Sequence, residues 1–544
     1  MTASPTDPAR AGASAASSRL VCPVCAETRH AYLFVVHGLS VVRCRGCGLI
    51  RLGSAPAEEV LRHFYGHREQ GWDPGSAPVD SLSEQDAERR YVQRLRDRGF
   101  RGGRLMVLAA PDHPFVREAA QAGFEIAYHR AVRDFEQDGA VTGPFDAVAV
   151  LNHLEKAAAP GALLERLHDL LADDGLLLVA TASVDTWPVR VFEQRWTEWR
   201  PENLFYFNRT TAHALLLKHG FGAAWIEPDR RLFSLQHIAD RSAGLPRSFL
   251  TRLVAAVCRL LPAAARDCRL HLGSSNVVIT ARRRRPRARP LLSIVLPVYN
   301  EKETFRVLMD ALVSKPVEGV DKEIIVVESN SRDGTREEVL KCREMPGVQV
   351  VLQDRPRGKG FAVREGIRRA RGDIVMIQDA DLEYDLNDYE ALLAPLLAYH
   401  TLFVLGARHG GNWKMRRFAN QPLLSTAANL AHVFFTALLN ALYGQRMKDP
   451  LTMFKVFYRD CVFGVGFECN QFDFDHELVI KLLRRGYTPV EVPVNYWSRS
   501  FKEGKKIKMF PDPLIWLWTD IKYRFTPLQR VPEADEADRN EVKP

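Results

Sequence analysis

Twice along this chain of 544 residues, strand-like apolar runs alternate with helical spans, and no other feature limits the fold as much. The first series holds "RLMVLAA", "FEIAYHR", "FDAVAVL" and "GLLLVATA", with "PFVREAAQAGF" and "PGALLERLHDLLADD" between them. The second holds "LLSIVLPVYNE", "EIIVVESNSRDGT", "IVMIQDADLEYD" and "VLGAR". Strands that alternate with helices are the pattern of βαβ units and of a parallel sheet. A chain this long does not close around a single core. Two α/β domains are therefore expected, at 101–281 and 291–525. The Arg/Pro run "RRRRPRARP" between them, 282–290, reads as an exposed linker.

Four of the nine cysteines stand as "CPVC" and "CRGC". Cys22, Cys25, Cys44 and Cys47 form C-x₂-C-x₁₈-C-x₂-C, a zinc-ribbon spacing in which four thiolates close a tetrahedron around Zn²⁺. Such a site has a structural role, because no coordination position stays open. Two disulfides or four free thiols are the other readings; the lack of a secretion signal speaks against the first and the paired spacing against the second. The ribbon is placed at 21–52, followed by a helical connector at 53–100. Residues 1–20 are mostly Ala, Ser, Pro and Thr with no apolar core of a signal peptide, and 526–544 are acidic; both are expected to be disordered.

The net charge of +9 arises in part from short basic runs, which suit solvated segments better than a nucleic-acid surface, so no nucleic-acid partner is expected. No uninterrupted run of about 18 apolar residues occurs. The nearest candidate, 423–444, is broken by Asn429, His432 and Asn440 and reads as a buried or interfacial helix. A cytoplasmic protein is expected, associated with the inner face of the cell membrane. The aromatic and basic residues of "PDPLIWLWTDIKYRF" (511–525) suit either a lipid headgroup interface or packing on the domain.

In "IVMIQDADLEYD" (374–385) an apolar strand ends in Asp379, Asp381, Glu383 and Asp385. Helix capping by Asp385 or Asn387 accounts for the later acids. It does not account for Asp379 and Asp381, at the carboxyl end of a strand where open α/β sheets bind ligands. Upstream, Gly358, Lys359 and Gly360 open a helix, where backbone donors and a lysine suit a phosphate.

The order of these motifs, from "LSIVLPVYNE" to "VLGAR", resembles a family 2 glycosyltransferase of the GT-A fold, with dolichyl-phosphate-mannose-synthase-like and polyprenyl-phosphate enzymes nearest in pattern. The resemblance implies a nucleotide-sugar donor, Mg²⁺ or Mn²⁺, and a lipid-phosphate or glycan acceptor, with inversion at the sugar. It places Pro297, Tyr299 and Glu301 in the nucleotide pocket and Glu328 on the base. Lys359, Arg408, Lys505 and Lys506 would bind the donor. Asp379 would face the nucleotide or the metal, Asp381 would ligate the metal, and Glu383 would supply a third ligand. Asp381, Asp475 and Arg499 are the implied catalytic residues, with Asp475 the candidate base of "NQFDFDHELVIKLLRRGY" and Asp473 a helix cap. Trp413, Lys414, Arg416 and Arg417 would lie in a mobile acceptor loop.

Residues 20–281 resemble a zinc-ribbon class I methyltransferase, a Rossmann-like fold, through "FDAVAVLNHLEKAAAPGALLERLHDLLADDGLLLVAT" and "RPENLFYFNRTTAHALLLKHGF". The cofactor loop departs from that family. In "VLAAPDHPF" the glycine positions fall on Ala109, Pro111 and His113, and only Tyr128 and His129 stand where a ribose-binding acid is usual. S-Adenosylmethionine is therefore not expected to bind. A glycosyltransferase on a degenerate methyltransferase-like scaffold, a bifunctional glycosyl- and methyltransferase, a nucleotidyltransferase and a non-catalytic binding protein stand as the readings; the missing Gly-rich loop after the first strand argues against the third and the intact DAD, GAR and EGKK (503–506) motifs against the fourth.

Overall fold

The structure is a computed structural model and describes residues 20–61, 81–109, 113–129, 135, 141–234, 261–262, 268–408, 422–498 and 511–528. The expectations of disorder for 1–20 and 526–544 fall almost wholly outside these residues. Part of the connector, 62–80, lies outside them as well.

The chain opens with an antiparallel sheet of β1 (His30–Val36), β2 (Leu39–Cys44) and β3 (Ile50–Leu52). Its fourth strand, β8 (Phe205–Tyr206), comes from far along the chain, with Ile50 opposite Tyr206. The ribbon is thus tied into the first α/β unit rather than being a detached module. The cause lies in its apolar faces: Leu39, Val41, Ile50 and Leu52 share a core with Trp196, Trp199 and Tyr206.

The first α/β unit contains α1 (Ser81–Asp97), β4 (Gly103–Leu108), α2 (Pro114–Gln121), β5 (Phe124–His129), β6 (Phe145–Leu151), α3 (Pro160–Leu170) and β7 (Leu171–Ala182). It continues through α4 (Arg209–Lys218), β9 (Phe221–Ser234) and β10 (Arg269–Arg283). The sheet order is β5-β4-β6-β7-β10-β9. β4 to β7 are parallel, and β10 runs antiparallel to both its neighbours. β10 is longer than the "SNVVITA" expected of a last strand, because Arg282 and Arg283 still pair with Leu176 and Phe221.

The run 282–290 is not a free linker. Arg284 pairs with Asp460 at 2.7 Å, Arg285 with Asp173 at 2.6 Å and Arg287 with Asp373 at 3.0 Å. These carboxylates belong to both units, so the basic run acts as a clasp. Asp460 is the node: it also accepts the Ala223 N–H at 2.8 Å and lies 3.9 Å from His213 Nε2. His213 Nδ1 is 2.8 Å from the Tyr487 hydroxyl, and Trp225 meets Phe463 edge-on at 5.5 Å. A Cβ on Gly464 would lie 2.1 Å from the Trp225 ring, so the two units touch closely there.

The second unit holds β11 (Leu291–Val298), α5 (Lys302–Ser314), β12 (Asp321–Glu328), α6 (Thr335–Leu340), β13 (Val348–Leu352), α7 (Lys359–Arg369) and β14 (Ile374–Ile377). It ends with α8 (Tyr389–Leu397), β15 (Phe403–Ala407), α9 (Pro422–Tyr443), β16 (Lys455–Tyr458), α10 (Phe474–Arg484), β17 (Val490–Pro493) and α11 (Pro511–Phe525). The sheet order is β13-β12-β11-β14-β16-β15-β17, with β16 antiparallel to both neighbours and the other pairings parallel.

Candidate active site

β11 has β12 on one side and β14 on the other, so the strand order reverses there. Loops at the carboxyl ends of β11 and β14 then diverge and leave a crevice, the usual ligand position in an open α/β sheet. "QDADLEYD" leaves β14 into this crevice. Thr304 Oγ1 of α5 donates to the Ala380 carbonyl at 2.7 Å, and Leu382 adopts φ of +57°. That left-handed turn is costly for leucine, and the Asp381 side chain supports it by accepting the Glu383 N–H at 3.2 Å. Asp385 caps the following turn by accepting the Asn387 N–H at 2.9 Å, as the capping expectation required.

Asp379 is bound by Lys359, Nζ to Oδ1 at 2.5 Å. Burial works against the Lys359 charge, but Asp379, Asp475 and Asp381 together hold its pKa above the ordinary lysine value. Asp475, in the first turn of α10, accepts from Lys455 Nζ at 2.9 Å. Burial pulls the Lys455 pKa down and Asp475 offsets part of that. Lys455 was missed by the sequence reading. Its signal is a lysine inside the apolar strand "FKVFY", where a fully buried ammonium needs a partner.

Glu383 is buried and its Oε2 accepts the Tyr496 hydroxyl at 2.7 Å. That bond fixes the Glu383 carboxylate and leaves Oε1 as the oxygen that a metal would take. Pro297, Tyr299 and Glu301 line the β11 end and are half-buried. The 299–301 and 329–335 loops are stitched together: Asn300 N–H donates to Ser331 Oγ and Glu301 N–H to Thr335 Oγ1, both at 2.9 Å.

Two residues assigned to the donor have partners within the fold. Glu328 is 0% exposed, with one carboxylate oxygen on the Ser331 N–H at 2.6 Å and the other on Arg336 at 2.8 Å. It ties the 329–331 loop to α6. Arg408 grips Asp449 with two 2.8 Å bonds and is itself 6% exposed. It braces β15 against the segment before β16. The glycines flanking Lys359 also have a packing cause: Cβ atoms on Gly358 and Gly360 would lie 2.2 Å from the Asn470 carbonyl and 2.5 Å from Phe474. The Phe361 N–H is spent on the Asn470 carbonyl at 3.1 Å. Asp473 occupies the cap position of α10, but its side chain accepts backwards from the Gln471 N–H at 2.9 Å.

Arg499, Lys505 and Lys506, with Trp413, Lys414, Arg416 and Arg417, lie outside the described residues.

Among the described residues, one group of three or more acidic, His or Cys side chains has all its ligand atoms within 4.8 Å of one another: Cys22, Cys25, Cys44 and Cys47. The thiols are free, with Cys22–Cys47 and Cys25–Cys44 sulfur distances of 3.5 and 3.4 Å. Four bonds of about 2.3 Å to a tetrahedral Zn²⁺ imply sulfur–sulfur edges of about 3.8 Å, so small outward shifts would fit the ion.

In the first unit the order reverses at β4. Ala109, which follows it, is 1% exposed and hydrogen-bonded to the His129 carbonyl. His113 caps α2 through the Phe115 N–H at 3.3 Å. His153 faces a drier environment, and burial, aided by Lys156 and His113, lowers its pKa to about 4.

The sequence model of glycosyl transferase family 2 matches residues 293–461. That span is a family 2 glycosyltransferase domain. A dolichyl-phosphate beta-glucosyltransferase of Trichomonas vaginalis is 28% identical over 243 residues, 42% of this chain and 71% of that protein. A dolichol-phosphate mannosyltransferase of Pyrococcus furiosus is 26% identical over 218 residues, 39% of this chain and 58% of that protein. One from Mycosarcoma maydis is 35% identical over 127 residues, 22% of this chain and 43% of that protein. The chain thus spans only part of each relative. Among solved structures, glucosyl-3-phosphoglycerate synthase of Mycobacterium tuberculosis matches at 22% identity and a TM-score of 0.33, covering 44% of this chain and 82% of that one. This domain is hexosyltransferase-like.

Proposed function

We propose that this chain transfers a sugar from a nucleotide-sugar donor to a polyprenyl- or dolichol-type lipid phosphate, on a GT-A domain that uses Mg²⁺ or Mn²⁺. The observation that carries the reading is the Asp379–Asp381 turn at the strand-order reversal, with Lys359 beside it. The mixed sheet around β11 and β14 supports the GT-A assignment, and the family description spans it. Oxygen ligands from Asp379 and Asp381 suit a hard divalent ion. When bound, such an ion offsets negative charge on a departing nucleoside diphosphate.

The chain's own residues divide the remaining work. Lys359 orients Asp379 and supplies a positive charge where phosphate oxygens would lie. Lys455 occupies Asp475, the candidate base. That pairing favours an acceptor that needs no deprotonation, and a lipid phosphate is already ionised. The names of the relatives agree with such an acceptor.

The Cys₄ group is the proposed structural zinc site. The first α/β unit is read as a methyltransferase-like scaffold without methylation, supported by the buried Ala109 and the capping His113 in place of open glycines. Cytoplasmic residence at the inner membrane face remains part of the proposal.

The test is hydrolysis and transfer with a panel of uridine- and guanosine-diphosphate sugars and a polyprenyl phosphate, with Mn²⁺ or EDTA. Donor turnover that is lost in EDTA is expected; turnover indifferent to EDTA would overturn the metal assignment. Titration calorimetry should show no S-adenosylmethionine binding, and a low-micromolar Kd would restore the bifunctional reading.

A further inference from the structure

Asp379, Asp381 and Glu383 each have a partner within the fold. Asp379 Oδ1 lies 2.5 Å from Lys359 Nζ, Asp381 Oδ1 accepts the Glu383 N–H at 3.2 Å, and Glu383 Oε2 accepts the Tyr496 hydroxyl at 2.7 Å. Among the described residues, these three carboxylates do not bring their oxygens within 4.8 Å of one another, as the four cysteines do with their sulfurs. Oxygen ligands for a hard divalent ion are therefore present, but they do not yet converge. Of the partners that hold them, Lys359 is the cation.

The ammonium sits where an ion would. Burial works against its charge, and the carboxylates of Asp379, Asp475 and Asp381 outweigh burial. Nζ also stands over the Phe472 ring, 5.6 Å from its centroid. The two ends of this side chain differ in freedom. The backbone is fixed, because Gly358 and Gly360 sit against the loop at Asn470 and the Phe361 N–H donates to the Asn470 carbonyl. The far end is a point charge on a flexible four-carbon stem, whose donors can turn to another anion. The Lys359 and Asp379 side chains are 20 and 14% exposed, so the pair lies in the crevice wall within reach of a ligand there.

An ammonium and a divalent ion on one carboxylate oxygen repel each other across a few ångströms, in a site where water screens little. A nucleoside diphosphate removes the conflict, since its phosphate oxygens offer the ammonium a second anion.

We propose that Lys359 is a stand-in cation: it holds Asp379 before the donor arrives and passes to the donor diphosphate when a divalent ion takes the carboxylate. Metal and nucleotide then each strengthen the binding of the other, and by the same factor. The inference rests on the metal-dependent reading of this site and adds the residue that links its two ligands.

The test measures Mn²⁺ binding to the full chain by electron paramagnetic resonance, alone and with uridine or guanosine diphosphate, for wild type and Lys359→Met. Without nucleotide, Lys359→Met should bind Mn²⁺ on the order of tenfold or more tighter than wild type, since the competing charge is gone. With nucleotide, the same variant should bind the nucleotide–Mn²⁺ pair on the order of tenfold weaker, since the phosphate loses its ammonium. The opposite signs are the signature, because a variant that merely loosens the site weakens both. Lys359→Gln, measured in parallel, keeps the test decisive if circular dichroism shows that the methionine variant folds poorly. Mn²⁺ affinity at or below that of wild type in the nucleotide-free variant would overturn the stand-in role. So would nucleotide–Mn²⁺ binding by the variant as tight as that of wild type, or a wild type that binds Mn²⁺ equally with and without nucleotide. No Mn²⁺ binding by wild type with either nucleotide would overturn the metal reading itself, and the stand-in role with it.

Discussion

Replacing Arg408 by methionine separates the brace from the donor ligand that the motif alone suggests. Arg408 holds Asp449 with two side-chain bonds of 2.8 Å and a backbone bond of 2.9 Å. Asp449 is 0% exposed, and burial raises the pKa of such a carboxyl. The Arg408 guanidinium outweighs burial and, with His432, holds Asp449 well below the usual carboxylate range. Among the described residues, His432 then stands 3.8 Å from Asp449. Removing one partner of a buried pair costs about 3–5 kcal/mol, because the remaining charge stays buried. At about 2–4 °C per kcal/mol for a unit of this size, Tm should fall on the order of 10 °C.

The double variant Arg408→Met/Asp449→Leu removes both charges and should recover most of that loss. The pH dependence has a definite sign. Because the folded pKa of Asp449 is depressed, its stabilisation is complete above about pH 4 and is lost as pH falls through the lower folded value. The double variant should lack that acid-dependent component. Thermal and guanidinium unfolding would be measured beside calorimetric titration of a nucleoside diphosphate. If Arg408→Met keeps the wild-type Tm while nucleotide affinity collapses, the bracing argument is refuted and Arg408 belongs in the donor site.

Asp381→Asn should lower donor hydrolysis about a hundredfold or more at unchanged Tm, while Asp385→Asn should be nearly silent, since an amide also accepts the Asn387 N–H; equal activities would remove Asp381 from the metal site. Elemental analysis should find about one zinc per chain, and Cys44→Ser should lower Tm because β2 carries both the thiol and the sheet that β8 completes. Asp460→Ala should cost about 3 kcal/mol by stripping Arg284 and the Ala223 N–H of their shared acceptor, and calorimetry should then resolve two unfolding transitions where coupled unfolding is expected of the wild type.

Local chemistry written in consecutive residues was legible from the chain alone. The βα alternation specifies buried strands, because runs such as Ile374–Ile377 find no stable place outside a sheet. The paired Cys spacing brings four thiols together because each pair makes its own knuckle. Asp379 and Asp381 reach a strand end because they follow that strand directly. What sequence could not supply was the partner of each charge. Lys455 meets Asp475, Arg408 meets Asp449 and Arg284 meets Asp460 across 20, 41 and 176 residues, and no local pattern encodes such pairings. Glu328 is assigned to the base by the resemblance, and only the fold shows that Arg336, eight residues on, pairs with its carboxylate. The faces of α9 and α11 follow the same logic: composition shows two apolar helices, but only packing decides that Asn429 and Asp520 turn inward while Leu430 and Trp518 turn out. A side chain's identity is local, whereas its burial and its partner are properties of the folded chain.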